Sequence, residues 1–264
     1  MYIALVSLNQ IWENKAANLA LCKKYIQDAL QNDVSVIIFP EMTLTGFSMN
    51  TQLIAEDTKD SFTIKNFQEL ARHYKIAIVF GVVIKENEKC SNRLYFIDDK
   101  GEILEHYTKI HPFSFANEDK SYVAGNEIKS VMYQGMRFGL TICYDLRFAN
   151  LYTVLTKSGS DCIINIANWP AKRVEHWRTL LKARAIETQQ FVIGVNRTGS
   201  DGNGLSYEQS SLCFNANGEE LPSKYEKNDM KIVLCEKSFT QKFREAFNTV
   251  QDIKILQERS DVTS

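Results

Sequence analysis

The feature that most constrains this chain is an alternation, sustained from its first residues almost to its last, between short β-branched runs and stretches of helical spacing. Residues 2–8 form an apolar run. Ala17, Leu21, Tyr25 and Leu30 then recur at roughly helical spacing between Glu13 and Gln31. Val34-Ser35-Val36-Ile37-Ile38-Phe39 is a strand that Pro40, lacking a backbone N–H, must stop. A helix is expected over 64–73 and a buried strand over 76–83. Strands near 93–97 and 103–107 flank the hairpin signal Asp98-Asp99-Lys100-Gly101. The second half repeats the theme, with strands at 138–143, 161–167 and 191–196 and helices at 148–157 and 172–188. Late strands at 210–214 and 231–235 lie around the Asn217-Gly218 turn, and a closing helix covers 239–247. Strands this apolar along their length are buried on both faces, so the expected class is α/β, with strands enclosed between layers of helices. With only four prolines and no Pro/Ser-rich linker, residues 1–264 are read as a single domain.

Charge and composition narrow the function. The 31 basic and 32 acidic residues nearly cancel, and no basic run interrupts that balance, so no nucleic-acid partner is expected. No run of about 18 apolar residues occurs, which argues against a membrane-spanning helix. Met1-Tyr2-Ile3-Ala4-Leu5-Val6 enters a strand without a basic leader, so a secretory signal is not expected. Six cysteines are scattered with no C-x-x-C pair, a usage that fits a reducing compartment, and the expected location is cytoplasmic. His73, His106, His111 and His176 make no metal-ligand spacing. Gly199-Ser200-Asp201-Gly202-Asn203-Gly204 has its glycines in the wrong order for a dinucleotide loop, and no P-loop occurs. Neither metal nor cofactor is expected, and the glycine-rich segment reads as a tight loop near a site entrance.

Three polar residues stand where strands end, the position at which α/β proteins build active sites. Glu41 follows the strand 34–39, Lys109 the strand 103–107, and Cys143 ends the strand 138–142. Alone, each has a plain reading: a solvated carboxylate, a surface ammonium, a small core thiol.

Their local words are more specific. Phe39-Pro40-Glu41-Met42, Lys109-Ile110-His111-Pro112-Phe113 and Ile142-Cys143-Tyr144-Asp145-Leu146-Arg147-Phe148 resemble, in order and spacing, the three signature segments of the nitrilase (carbon–nitrogen hydrolase) superfamily. Ala167-Asn168-Trp169-Pro170, Ala183-Arg184-Ala185-Ile186-Glu187 and the segment from Asn196 to Gly204 look most like its omega-amidase branch, which hydrolyses the terminal amide of 2-oxoglutaramate and succinamate-like acids. The resemblance implies a nitrilase-like, four-layer α-β-β-α sandwich that associates as a homodimer or larger assembly. Phe148, Leu151, Tyr152 and residues 243–247 are candidates for the shared face.

It also implies roles. An amide carbonyl is a poor electrophile with a poor leaving group, so the site needs a nucleophile, a proton carrier and an oxyanion stabiliser. Cys143 is the implied nucleophile, Glu41 the proton carrier, and Lys109 with the Tyr144 backbone N–H the oxyanion partners. Glu118, in Phe115-Ala116-Asn117-Glu118, stands where the superfamily carries a second glutamate that orients the lysine and substrate. A distal carboxylate on the substrate suits a guanidinium, for which Arg173 is the first candidate and Lys172 the second. Arg147 is expected to pair near Asp145 and hold the turn. Phe47, Phe113, Phe115 and Trp169 are expected to wall a narrow pocket. A nitrilase, an N-carbamoyl hydrolase or an amidase acting on deaminated glutathione would share the same nucleophilic step. A catalytically silent binding subunit is the reading from another class.

Overall fold

The computed structural model describes residues 1–227 and 229–254. The expected unit of 1–264 therefore includes positions 228 and 255–264, which lie outside the described residues. The first sheet contains Tyr2–Val6 (β1), Val34–Ile38 (β2), Glu56–Asp57 (β3), Ala77–Glu86 (β4), Lys89–Ile97 (β5) and Ile103–Thr108 (β6). The second contains Ser130–Tyr133 (β7), Met136–Ile142 (β8), Cys162–Ala167 (β9) and Phe191–Asn196 (β10). Gly199–Ser200 (β11) and Ser206–Tyr207 (β12) form a small hairpin. Leu212–Phe214 (β13) joins the second sheet, and Tyr225–Lys227 (β14) and Met230–Leu234 (β15) return to the first.

The strand orders are β14-β15-β1-β2-β4-β5-β6, with β3 beside β4, and β13-β10-β9-β8-β7. Parallel pairing at β1/β2, β2/β4, β8/β9 and β9/β10 requires crossovers, which the helices supply. These are Lys15–Ala29 (α1), Thr51–Ile54 (α2), Phe62–Tyr74 (α3), Glu118–Ser121 (α4), Ala149–Lys157 (α5), Val174–Thr188 (α6) and Lys237–Ala246 (α7). The period-2 alternation of each strand decides which layer a side chain enters. Val36 and Ile38 face the second sheet together with Leu94, Phe96 and Tyr107. Ile37 and Phe39 turn the other way, into a core with Ile26 of α1 and Phe67 of α3. Trp177, Leu181 and Ala185 of α6 and Leu151, Tyr152 and Leu155 of α5 close the far side of the second sheet. Helix, sheet, sheet and helix follow one another, as the expected sandwich requires.

The late strands lie on either side of the Asn217-Gly218 turn, but in different sheets: β13 lies beside β10 in the second sheet, whereas β15 lies beside β1 in the first. That turn closes only the bridge from Phe214 to Glu220, because apolar alternation identifies a strand without naming its neighbour. Leu151 and Tyr152 are not on a free face. Both are buried in their own chain, and the Tyr152 hydroxyl lies 3.1 Å from Thr141 Oγ1 and accepts from Asn165 Nδ2 at 3.1 Å.

Candidate active site

Glu41 sits on a turn whose backbone is held from three directions. β2 ends at Ile38, Pro40 prevents its extension, and Met42 turns the chain at a φ of 45°. The side-chain amide of Gln10 donates to the carbonyls of Glu41, Met42 and Thr43 at 3.0, 2.9 and 3.1 Å. Asn168 Nδ2 donates to the Glu41 carbonyl at 2.6 Å, and Thr43 N donates to Gly81 O at 2.9 Å. With those carbonyls occupied, the Glu41 side chain is left to project between the sheets, where it is fully buried.

Lys109 follows β6 on the same face as Tyr107, and its backbone N–H donates to Asn92 O of β5 at 3.0 Å. Its ammonium donates to Glu41 Oε1 at 2.9 Å and to Glu118 Oε2 at 2.8 Å, and it lies 5.3 Å from the centre of the Phe47 ring. Cys143 follows β8 at a φ of 46°, a left-handed conformation that non-glycine residues adopt at a cost of about 1–3 kcal/mol. Asp145 holds that turn: it accepts from the Ile142 N–H, the His111 N–H and the Tyr107 hydroxyl at 3.0, 3.0 and 2.8 Å. The loop after Lys109 and the turn after β8 are thereby fastened to one carboxylate.

The three strand-end residues converge. Burial pushes the Cys143 thiol well above its ordinary value, and the charge of Glu41 pushes it further, while the Lys109 ammonium pulls it down. Burial works against the Lys109 charge, but Glu118 and Glu41 more than offset it and hold the ammonium well above the usual lysine range. Glu118 is raised by its own burial, against the pull of Lys109. It is fully buried, unlike a solvated loop carboxylate, and accepts from Lys109 and the Phe113 N–H.

The cavity over Cys143 measures about 260 Å³ and is lined by Phe47, Phe113, Tyr144, Trp169, Arg147 and Arg173, among others. Three of the four expected aromatic walls are in place. Phe115 is not: it is 81% exposed and absent from the lining, because Ser114–Ala116 is a single tight turn that points Phe113 inward and Phe115 to solvent. Lys172 also faces solvent, whereas Arg173 lies 5.6 Å from the centre of the Phe113 ring. Arg147 does not pair with Asp145, whose oxygens are already taken by Tyr107, His111 and Ile142. Its guanidinium instead sits 4.8 Å from the Trp169 ring centre, in the cavity wall. Among the described residues no carboxylate lies within ion-pair distance of either guanidinium.

The glycine-rich loop does border the entrance. Through Asp201, Asn203, Leu205 and Tyr207, the β11–β12 hairpin forms the outer wall. The Asp201 carboxylate is occupied by the Tyr207 hydroxyl and the N–H groups of Asn203 and Leu205. Asn92 was not anticipated. Its amide lies between Glu41 and Glu118, at 2.7 and 3.0 Å. The signal available for it was the alternation that puts Asn92 on the same face as Leu94 and Phe96, a polar residue where the inter-sheet core continues. Among the described residues no group of His, Cys, Asp and Glu is arranged to hold a metal, and no helix is long and apolar enough to cross a membrane.

Three comparisons agree with this geometry. A family model described as carbon–nitrogen hydrolase matches residues 2–233. An omega-amidase, YafV of Yersinia enterocolitica, is 36% identical over 221 residues, 82% of each chain, and a 2-oxoglutaramate amidase of Bacillus subtilis is 33% identical over 63% of this chain and 64% of its own. A carbon–nitrogen hydrolase superfamily protein from Xanthomonas campestris, solved with an arsenic adduct in its active site, superposes with a TM-score of 0.88 at 29% identity, covering 98% of this chain and 99% of that one.

Proposed function

The chain belongs to the carbon–nitrogen hydrolase family and acts on amides, and from that membership we propose that its substrate is a short dicarboxylic acid monoamide of the 2-oxoglutaramate or succinamate type. The observation that carries this reading is a small cavity with a thiol at its floor and two guanidiniums without acid partners in its wall. A volume of about 260 Å³ lies below the roughly 300–1,000 Å³ of sites for drug-sized ligands. A substrate of four or five carbons suits it better than a tripeptide. Arg147 and Arg173 supply planar, bidentate donors for the distal carboxylate. Relatives named omega-amidase and 2-oxoglutaramate amidase support the same choice.

In the proposed reaction Cys143 Sγ attacks the carboxamide carbon as its proton passes to Glu41. The oxyanion forms beside Lys109 Nζ and the Tyr144 backbone N–H. Glu41 returns the proton to the departing nitrogen, ammonia leaves, and a thioester remains on Cys143. Water then attacks the thioester carbon, giving a proton to Glu41, and the acid and free thiol are restored. Losing one oxyanion donor typically costs about 3–4 kcal/mol of barrier. Glu118 positions Lys109 and takes no proton in this scheme. All six cysteines are free thiols, which supports a reducing, cytoplasmic setting.

Ammonia release from a panel of succinamate, 2-oxoglutaramate, an aliphatic nitrile and an N-carbamoyl amino acid tests the proposal. Turnover confined to the two monoamides is expected, with the KM for succinamate raised at least tenfold by Arg173→Met or Arg147→Met. Preference for the nitrile or the carbamoyl compound contradicts it. Catalytic silence across the panel would favour a binding subunit instead.

A further inference from the structure

The hydrogen bonds around the two buried carboxylates distinguish one oxygen from the other three. A carboxylate offers about four lone-pair sites, two per oxygen. Glu118 has all of its sites filled: Oε1 accepts from Asn92 Nδ2 at 3.0 Å and Lys109 Nζ at 3.1 Å, and Oε2 accepts from Lys109 at 2.8 Å and from the Phe113 N–H. Glu41 Oε1 is filled likewise, by Asn92 Nδ2 at 2.7 Å and Lys109 Nζ at 2.9 Å. Among the described residues Glu41 Oε2 accepts only the Asn168 N–H, at 2.9 Å. One lone pair of the two carboxylates is thus open among them, and it is on that atom.

We propose that Asn92 is a positioning residue of the reaction, whose amide closes Oε1 of both carboxylates and thereby assigns the proton of Cys143 to Glu41 Oε2. Asn92 is neutral, so it occupies both oxygens without adding charge to a site that already holds Glu41, Glu118, Lys109 and Cys143, with the Tyr122 phenol behind them. Its orientation is fixed electrostatically. Among the described residues the carbonyl Oδ1 is buried without a partner, and a flipped amide would set that oxygen against two carboxylates instead. Its backbone carbonyl accepts from the Lys109 N–H, so the same residue sets the height of the ammonium. Asn92 does not line the cavity and acts through Glu41 and Lys109.

The inference rests on Glu41 acting as the proton carrier, and two readouts separate its failure from a failure of the proposed substrate. Asn92→Ala, Asn92→Ser and Asn92→Asp are compared with the wild type. With succinamate, Asn92→Ala is expected to lower kcat about 100-fold, the scale on which a misplaced catalytic group acts, with KM changed less than threefold. Asn92→Asp cannot donate when ionised but donates one hydrogen bond when protonated, so its deficit against wild type should narrow steadily from pH 8 to pH 6. Asn92→Ser retains one donor and is expected to fall between the two. Independently of any substrate, the pH profile of Cys143 alkylation by iodoacetamide, read by intact mass, should be displaced in Asn92→Ala and Asn92→Asp. Profiles and kcat values superimposable on wild type overturn the assignment, as does a deficit in Asn92→Asp that is flat with pH. Failure of all three variants to fold would assign Asn92 to the fold alone. A wild type inactive on succinamate but with a displaced alkylation profile in the variants would remove the proposed substrate and leave the role of Asn92 standing.

Discussion

Two carboxylates and one ammonium, all fully buried, leave the acid–base cluster with an excess negative charge whenever both acids are ionised. Burial raises the Glu118 carboxyl against the pull of Lys109, so its ionised form, which accepts all four hydrogen bonds, carries a desolvation cost. A group whose folded value is raised contributes stability below its unfolded value and loses that contribution as pH rises through the folded one, so ionised Glu118 works against the fold at neutral pH. Glu118→Gln removes that charge but turns an amide donor toward Lys109, Asn92 and the Phe113 N–H, so kcat is expected to fall at least tenfold; an unchanged kcat would contradict this. Lys109→Met strands both carboxylates without a cation and should lose about 3–5 kcal/mol in denaturant titration. Burial and Glu41 raise the Cys143 thiol, so its inactivation by a small alkylating reagent should still climb with pH beyond the roughly 8.5 of an unperturbed cysteine. A profile with its midpoint at that value would show a thiol that its neighbours leave unperturbed, and a midpoint well below it a thiol governed by Lys109; either would contradict this. Glu41, Lys109, Cys143 and Glu118 were legible because each lies in a recognisable local word. Asn92 was not, since its role depends on β5 passing beside β6 and on two carboxylates distant in the chain. Arg147 was misassigned for the same reason: no local rule indicates that Asp145 is claimed by Tyr107 and His111.

Glu41, Lys109 and Cys143, the proposed reacting groups, each stand just past a strand rather than within it. The Glu41 turn is pressed against β4, where a methyl group at Gly81 would meet Met42 N at 2.4 Å and Glu41 Cα at 3.0 Å. Both of those atoms are backbone, so the turn itself must shift. Gly81→Ala is expected to lower kcat about 100-fold through displacement of Glu41 by a fraction of an ångström, with a smaller change in KM. An enzyme with wild-type kcat would show that the turn has slack. The long strands and helices were visible in their periodicity because burial on a known face selects the residues. The helix expected over 172–188 begins as a separate turn, Ala171–Arg173, before α6 proper, and this places Arg173 at the cavity instead of on the helix surface. The strand expected over 210–214 is shorter, because the hydroxyls of Ser210 and Ser211 are spent on Asn196, not on a sheet edge. β7, β11, β12 and β14 span four residues or fewer, too few to establish a period.

Across the whole molecule, the two sheets act as a vice. Glu41 and Lys109 come from the first sheet, Cys143 from the second, and the inter-sheet core determines their separation. Phe239 and Phe247, at and just past α7, are 39% and 64% exposed. We expect a homodimer built partly on that face, with a light-scattering mass near twice the 30.3 kDa of the chain; a monomer at micromolar concentration would contradict it. In the space between the sheets a sulfur, a carboxylate and an ammonium are proposed to act on one carbonyl. Rapid acid quenching of the enzyme during turnover of succinamate, followed by intact-mass and peptide analysis, tests this most directly. A succinyl adduct on Cys143 is expected, absent from Cys143→Ala and depleted when Lys109 is replaced by Met. Ammonia released at full rate by Cys143→Ala, or an acyl group found on any other residue, would contradict it.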